Sequence, residues 1–162
     1  MRKPTIPLLL VFLFIVFAAG TLPAQQQSND PWTERDVLHL NTIGVFSAAS
    51  VIQSYGYIGF LADALSRKVY EPEMVSSMLI ESTAYLRNVK TQLEKYPAIS
   101  LKAGDQKFLA SIAEIVNHLI NEAEALSSFA RTKSKEDLGK YETARDAAAK
   151  SIEKTFKISL KK

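Results

Sequence analysis

The 162-residue chain contains no cysteine. This absence excludes disulfides, thiolate metal sites, covalent attachment of a c-type haem and lipid attachment through a cysteine. Histidine is also scarce, with two copies in the whole sequence, so a histidine-based metal or proton-transfer site has few residues to draw on. The fold must therefore depend on a hydrophobic core, and a chain of this length can form one.

The sequence also lacks the short motifs that accompany common chemistries. We find no nucleophile triad pattern, no phosphate-binding glycine loop and no base-stacking aromatic motif. Strand-like alternation of useful length, internal repeats and low-complexity tracts are missing as well. We therefore expect a protein that is not an enzyme, uses no cofactor and binds no nucleic acid.

The first 24 residues have the pattern of a secretory signal peptide. Residues 1–3 (MRK) form a positive end, Leu8 to Ala19 is an unbroken apolar run, and small residues follow it. The run is shorter than the roughly 20 residues that a membrane-spanning helix needs. We expect cleavage after Ala24, with Gly20 as the alternative, and a periplasmic or extracellular protein.

The next unusual feature is a long stretch that is almost free of charge. Residues 25–31 (QQQSNDP) predict a flexible leader, because none of them is apolar. From Val37 to Leu65 apolar residues then recur on nearly every face, and Asp63 is the first formally charged residue. We expect this stretch to form a long first helix and the buried centre of the fold.

Three later segments each show a narrower apolar stripe with alternating spacings of three and four, which is typical of bundled helices. Pro72 favours the start of the second helix, and Ser134 with Asp137 resembles a capping box at the start of the fourth. The sequence predicts an all-α, single-domain, antiparallel up-down four-helix bundle over residues 32–158, with a basic tail at 159–162. The predicted buried residues where the stripes meet are Ile52, Leu86 and Leu119.

One face of the first helix is the candidate binding surface. Polar and small residues recur there at helical spacing, where Lys and Glu are usual on an exposed face. We expect it to be covered by a partner subunit, by the alanines of the fourth helix or by a small-molecule ligand that the sequence does not identify. The face consists of Asp36, His39, Ile43, Ser47, Ser50, Ser54 and Tyr57, and we assign binding to Ser47, Ser50, Ser54 and Tyr57.

Two histidine–carboxylate pairs could bind a metal, namely Asp36 with His39 and Glu114 with His118. The favoured interpretation of each pair is a local ion pair on a helix surface. Glu122 interrupts an otherwise apolar stripe on the third helix. A buried carboxylate is costly unless it is paired, so we expect Glu122 at the wet edge of the bundle rather than at a functional site.

The leading functional hypothesis is an exported, non-enzymatic helical bundle that acts by binding, as a sensor-like, adaptor or structural module, with a protein partner or a second copy. The alternative is a single-span membrane protein with Ile43 to Ala62 as the span and Arg67 after it. The basic tail from Lys154 to Lys162 could contact an acidic membrane surface. The interpretation we favour for the tail is compensation of the helix dipole.

Overall fold

We describe the chain from a computed structural model, in which residues 34–95 and 101–160 are described. These residues form four α-helices, and no strand occurs among them. The helices are α1 (Glu34–Ser66), α2 (Pro72–Lys95), α3 (Ala103–Thr132) and α4 (Lys135–Phe156). The predicted all-α four-helix fold, with its long apolar first helix, is confirmed. The signal peptide, the leader and the side chain of Asp36 lie outside the described residues.

Contact patterns divide the chain into a unit of residues 1–39 and a unit of residues 40–162. The part of the first unit that is described is the beginning of α1. All packing discussed below belongs to the second unit, which contains the rest of α1 and all of α2, α3 and α4.

The helix ends follow local sequence signals. α2 begins at Pro72 as predicted, since proline lacks the backbone N–H that a first helical turn leaves without an acceptor. Ser134 caps α4, because its Oγ accepts a hydrogen bond from the Asp137 backbone N at 3.0 Å. The Asp137 carboxylate accepts hydrogen bonds from Thr132 and Ser134, which lower its pKa. The side-chain cap of the predicted capping box is therefore present, whereas the Ser134 backbone N–H donates to Thr132 Oγ1 at 3.2 Å rather than to the Asp137 carboxylate.

The central helix of the bundle is α3, and the prediction that α1 forms the buried centre is wrong. α3 packs closely against both α2 and α4. From Ile115 to Ser127 its buried positions come in adjacent pairs every three or four residues, which makes a stripe wide enough to meet two neighbours. α1 has apolar residues on all faces. It lies at a corner of the bundle, so the apolar residues on one of its sides are buried and the others are not. Its buried residues are Val51, Ile58, Leu61, Ala64 and Leu65.

Two of the three predicted core residues are buried. Leu86 and Leu119 are both almost fully enclosed, as their stripes predict. Ile52 is half-buried, and its neighbour Val51 occupies the core position instead. Val51 and Ile58 lie seven residues apart, and both are on the face of α1 that points into the core. Ile52 follows Val51 directly, so the turn of the helix places it beside that face rather than on it.

Candidate functional site

The predicted serine surface meets α2 at Ser50. Ser47, Ser50 and Ser54 are half-buried, and Tyr57 is 40% exposed. The Ser50 hydroxyl is hydrogen-bonded to the hydroxyl of Tyr85 on α2 at 3.1 Å. α2 is therefore the helix that contacts Ser50, whereas the sequence suggested the alanines of α4 as one candidate cover.

A different face of α1 points away from the bundle, and we call it the outer stripe. All six of its residues are exposed, at alternating spacings of four and three along the helix. Phe46 is 71% exposed and Phe60 is 52% exposed, while no formally charged residue occurs between His39 and Asp63. The outer stripe consists of Thr42, Phe46, Ala49, Gln53, Gly56 and Phe60.

Sequence reasoning missed the outer stripe because α1 is apolar on most faces, so no polar side marks which part faces water. The usable signal was the spacing: large and small residues alternate along this one line, as they do in packed helix pairs. Val45 and Tyr57 flank the stripe and are 54% and 40% exposed. They widen the apolar surface on either side.

Burial raises the pKa of the Tyr55 hydroxyl on α1, and the charge of Arg145 opposes that rise. The carboxylates of Glu122 on α3 and of Asp146 and Glu153 on α4 add to it. Charges of both signs therefore lie on the side of α1 that faces Arg145.

The second notable feature is a buried ion pair inside the bundle. Glu122 on α3 is 0% exposed, and its Oε1 is 2.5 Å from Nη1 of Arg145 on α4. The same Nη1 lies 3.5 Å from the backbone oxygen of Tyr55, and the guanidinium carbon is 4.1 Å from the Tyr55 ring centroid. One side chain therefore connects α3, α4 and α1.

The prediction that Glu122 lies at the wet edge of the bundle is wrong. The countercharge comes from Arg145, 23 residues further along the chain and on another helix. Pattern reading along α3 alone cannot reveal such a partner. Glu122 nevertheless follows the rule that a buried carboxylate needs a pairing charge, because Arg145 supplies that charge.

Burial has a strong effect on the ionisation of this cluster. It raises the pKa of Glu122 to about 7, although the charge of Arg145 and its hydrogen bond act in the opposite direction. Glu122 Oε2 is buried and has no hydrogen-bond partner among the described residues. Burial also raises the pKa of the neighbouring Tyr141 hydroxyl to about 12. A dry environment therefore dominates the electrostatics of all these groups.

Gly59 makes room for the guanidinium. A Cβ placed on Gly59 would lie 2.5 Å from Nη2 of Arg145, which is closer than real Cβ contacts come. The shallow depressions between α3 and α4, lined by residues such as Asn121 and Lys140, include neither Glu122 nor Arg145. The geometry suits a structural link between three helices rather than a substrate site.

The described residues contain no group of three or more His, Asp or Glu side chains positioned to hold a metal ion. Glu114 Oε1 and His118 Nε2 are 3.8 Å apart at i, i+4 spacing, which fits the local pair that the sequence favoured. His39 is exposed. The Glu114–His118 pair gains no third ligand within the described part of the chain.

Comparisons of the chain with protein-family models, with curated proteins and with solved structures found no match. By length and composition, the stretch Val37–Ser66 could also cross a membrane, with a mean hydropathy of 1.3 and 22% of its most apolar window buried. The core helix of a soluble protein can pass the same test, but it is mostly buried.

Proposed function

We propose that this protein is an exported, non-enzymatic helical bundle that acts by binding a partner through the outer stripe of α1. The observation that carries the proposal is the exposure of Phe46 and Phe60, 71% and 52%, on a helix face without charge. Single exposed apolar residues are common, but a continuous apolar patch marks an interaction surface. A sensor-like, adaptor or structural module would use such a surface.

The distribution of ionisable groups supports binding rather than catalysis. The most perturbed acid, Glu122, is fully enclosed and is held by Arg145. A catalytic acid or base must reach the proton that it transfers, within hydrogen-bond distance or through one water. The predicted surface of Ser47, Ser50, Ser54 and Tyr57 adjoins the outer stripe, and in this proposal it forms one border of the binding face.

The proposal of export rests on the sequence of residues 1–24. A positive end, an apolar run and small residues at the cleavage positions give the chain the pattern of a signal peptide. The intact mass of protein recovered from its own host tests it. A mature chain that begins at residue 25, or at residue 21, is the expected result, and a mass that includes Arg2 would overturn it.

Native mass spectrometry of the protein isolated from its host tests the binding role. We expect the wild-type protein to retain a second species, and the Phe46→Asp variant to lose it because a charge would be desolvated in the contact. Ile80→Asp is the matched control, since Ile80 is 60% exposed on α2. Wild-type protein that carries nothing at any concentration, or a bound species that Phe46→Asp does not release, would contradict the proposal.

A single-span membrane protein is the second candidate, favoured by the length and apolar composition of Val37–Ser66. In the bundle, however, α1 buries Val51, Ile58 and Leu61 against helices with charged outer faces, and these helices would be drawn into the bilayer with it. Alkaline carbonate extraction of host membranes separates the two candidates. A spanning protein stays with the membrane, and a bundle that binds by its surface is released.

A further inference from the structure

Large and small residues alternate along the outer stripe. Phe46, Gln53 and Phe60 are the larger residues and lie seven apart, and Thr42, Ala49 and Gly56 are the small residues between them. This is the spacing of the a and d positions of a coiled coil, where each side chain inserts between residues of a facing helix. The stripe therefore has the shape that accepts another helix of the same kind.

We infer that the outer stripe is a self-association surface, on which α1 of a second copy of this chain packs in antiparallel orientation. In such a pair each larger residue faces a small one. Phe46 lies opposite Gly56 of the second copy, Gln53 opposite Ala49, and Phe60 opposite Thr42. This inference rests on the proposed binding role of the outer stripe and names its partner.

The opposite orientation fits poorly. In a parallel pair at equal register, Phe46 would meet Phe46 and Gly56 would meet Gly56, so the helices would be held apart at one level and leave a gap at the next. Two copies of α1 can pack closely along the whole stripe only if each large side chain faces a small one. The order of sizes along α1 thus selects the antiparallel pair.

The available area suits a dimer. With about 200 Å² for an aromatic side chain, the exposed fractions of Phe46 (71%), Tyr57 (40%) and Phe60 (52%) amount to about 330 Å² per copy. Val45 and the smaller stripe residues bring each copy to on the order of 500 Å², so a pair buries about 1,000 Å². That value is below the roughly 1,200–2,000 Å² of stable specific interfaces, and it corresponds to a weak, concentration-dependent dimer.

The stripe carries no formally charged residue from Thr42 to Phe60, so a contact between two copies buries no ionisable side chain there. It also lacks the basic residues that attract a protein to anionic lipid.

Two matched glycines test the interface. A Cβ on Gly56 or on Gly139 would meet nothing within 4 Å, so both positions tolerate a side chain within one copy. Sedimentation equilibrium over a range of concentrations should show reversible dimers for wild type and for Gly139→Glu. Gly56→Glu should remain monomeric, because its side chain fills the space that receives Phe46. Unchanged far-ultraviolet circular dichroism of both variants confirms that the bundle is intact.

The absence of native cysteine makes the orientation testable by cross-linking. Thr42→Cys protein mixed with Phe60→Cys protein should form the mixed disulfide under oxidation, in excess over either homodimer. In a parallel pair these two positions would lie about 27 Å apart along the helix, since each residue advances about 1.5 Å. Homodisulfides alone would overturn the antiparallel arrangement.

Further results would also contradict self-association through the outer stripe. Monomeric wild-type protein up to millimolar concentration would overturn the inference, as would a dimer that Gly56→Glu leaves unchanged. Binding to vesicles of anionic lipid without self-association would likewise overturn it. If native mass spectrometry then still shows a different species released by Phe46→Asp, the proposed binding role stands and only the identity of the partner is wrong.

Discussion

The buried pair of Glu122 and Arg145 allows a quantitative prediction for the Arg145→Met variant. Methionine fills much of the same volume but carries no charge, so Glu122 remains enclosed without its partner. Removing one member of a buried pair typically costs about 3–5 kcal/mol. Near pH 7 the enclosed carboxyl of the variant can stay protonated, so we expect a smaller loss there, and the loss should approach this size as pH rises and the wild-type pair ionises. Replacing both residues by apolar ones should cost less than the single change, because no buried carboxyl is left over.

The dependence on pH follows from the raised pKa of Glu122. In the folded protein that pKa is about 7, against an ordinary value of 4.5 for a glutamate side chain. Between these values the folded state binds more protons than the unfolded state, so the free energy of unfolding falls as pH rises. A difference of this size corresponds to about 3 kcal/mol in all. The neighbouring hydroxyls of Tyr55 and Tyr141 have raised pKa values and stay neutral throughout this window.

Urea unfolding at several pH values between 4.5 and 8 tests this reasoning. Wild-type protein should lose stability across the window relative to Glu122→Gln, which has no group to titrate at that position. In Arg145→Met the loss should continue above pH 7, because the lowering effect of the guanidinium on the pKa is gone. If the wild-type and Glu122→Gln stabilities changed in parallel with pH, the buried carboxyl would not titrate as described and the argument would fail.

Three further predictions concern packing. Leu119→Ala should reduce the free energy of unfolding by about 2–5 kcal/mol through lost burial and the cavity left behind, and an unchanged urea midpoint would show that the core assignment is wrong. Gly59→Ala should destabilise the fold by about 1–3 kcal/mol because the new methyl displaces the guanidinium of Arg145. The control Gly56→Ala should be neutral or stabilising by up to about 1 kcal/mol. If both variants had equal effects in thermal melts, the close contact between Gly59 and Arg145 would be refuted. Ser50→Arg should lower the melting temperature by crowding the α1–α2 seam at Tyr85, and an unchanged melting temperature would show that the seam is open.

The sequence by itself determined most of the local structure. Periodic spacings of three and four identified α2, α3 and α4, while Pro72 and the pairing of Ser134 with Asp137 marked where two of them begin. Leu86 and Leu119 were identified as core residues in the same way. These features depend on residues within a few positions of each other, which a helix places on one face by its own geometry.

Which faces meet was decided only by the tertiary structure. α1 is apolar on most sides, so its periodicity could not say that Val51 turns inward and Phe46 outward. Nor could the stripe of α3 show that the carboxylate of Glu122 meets Arg145 on α4. Contacts between helices depend on their relative rotation and register, which arise from the packing of all four helices together. The central position of α3, the seam at Ser50 and the outer stripe are all consequences of that packing.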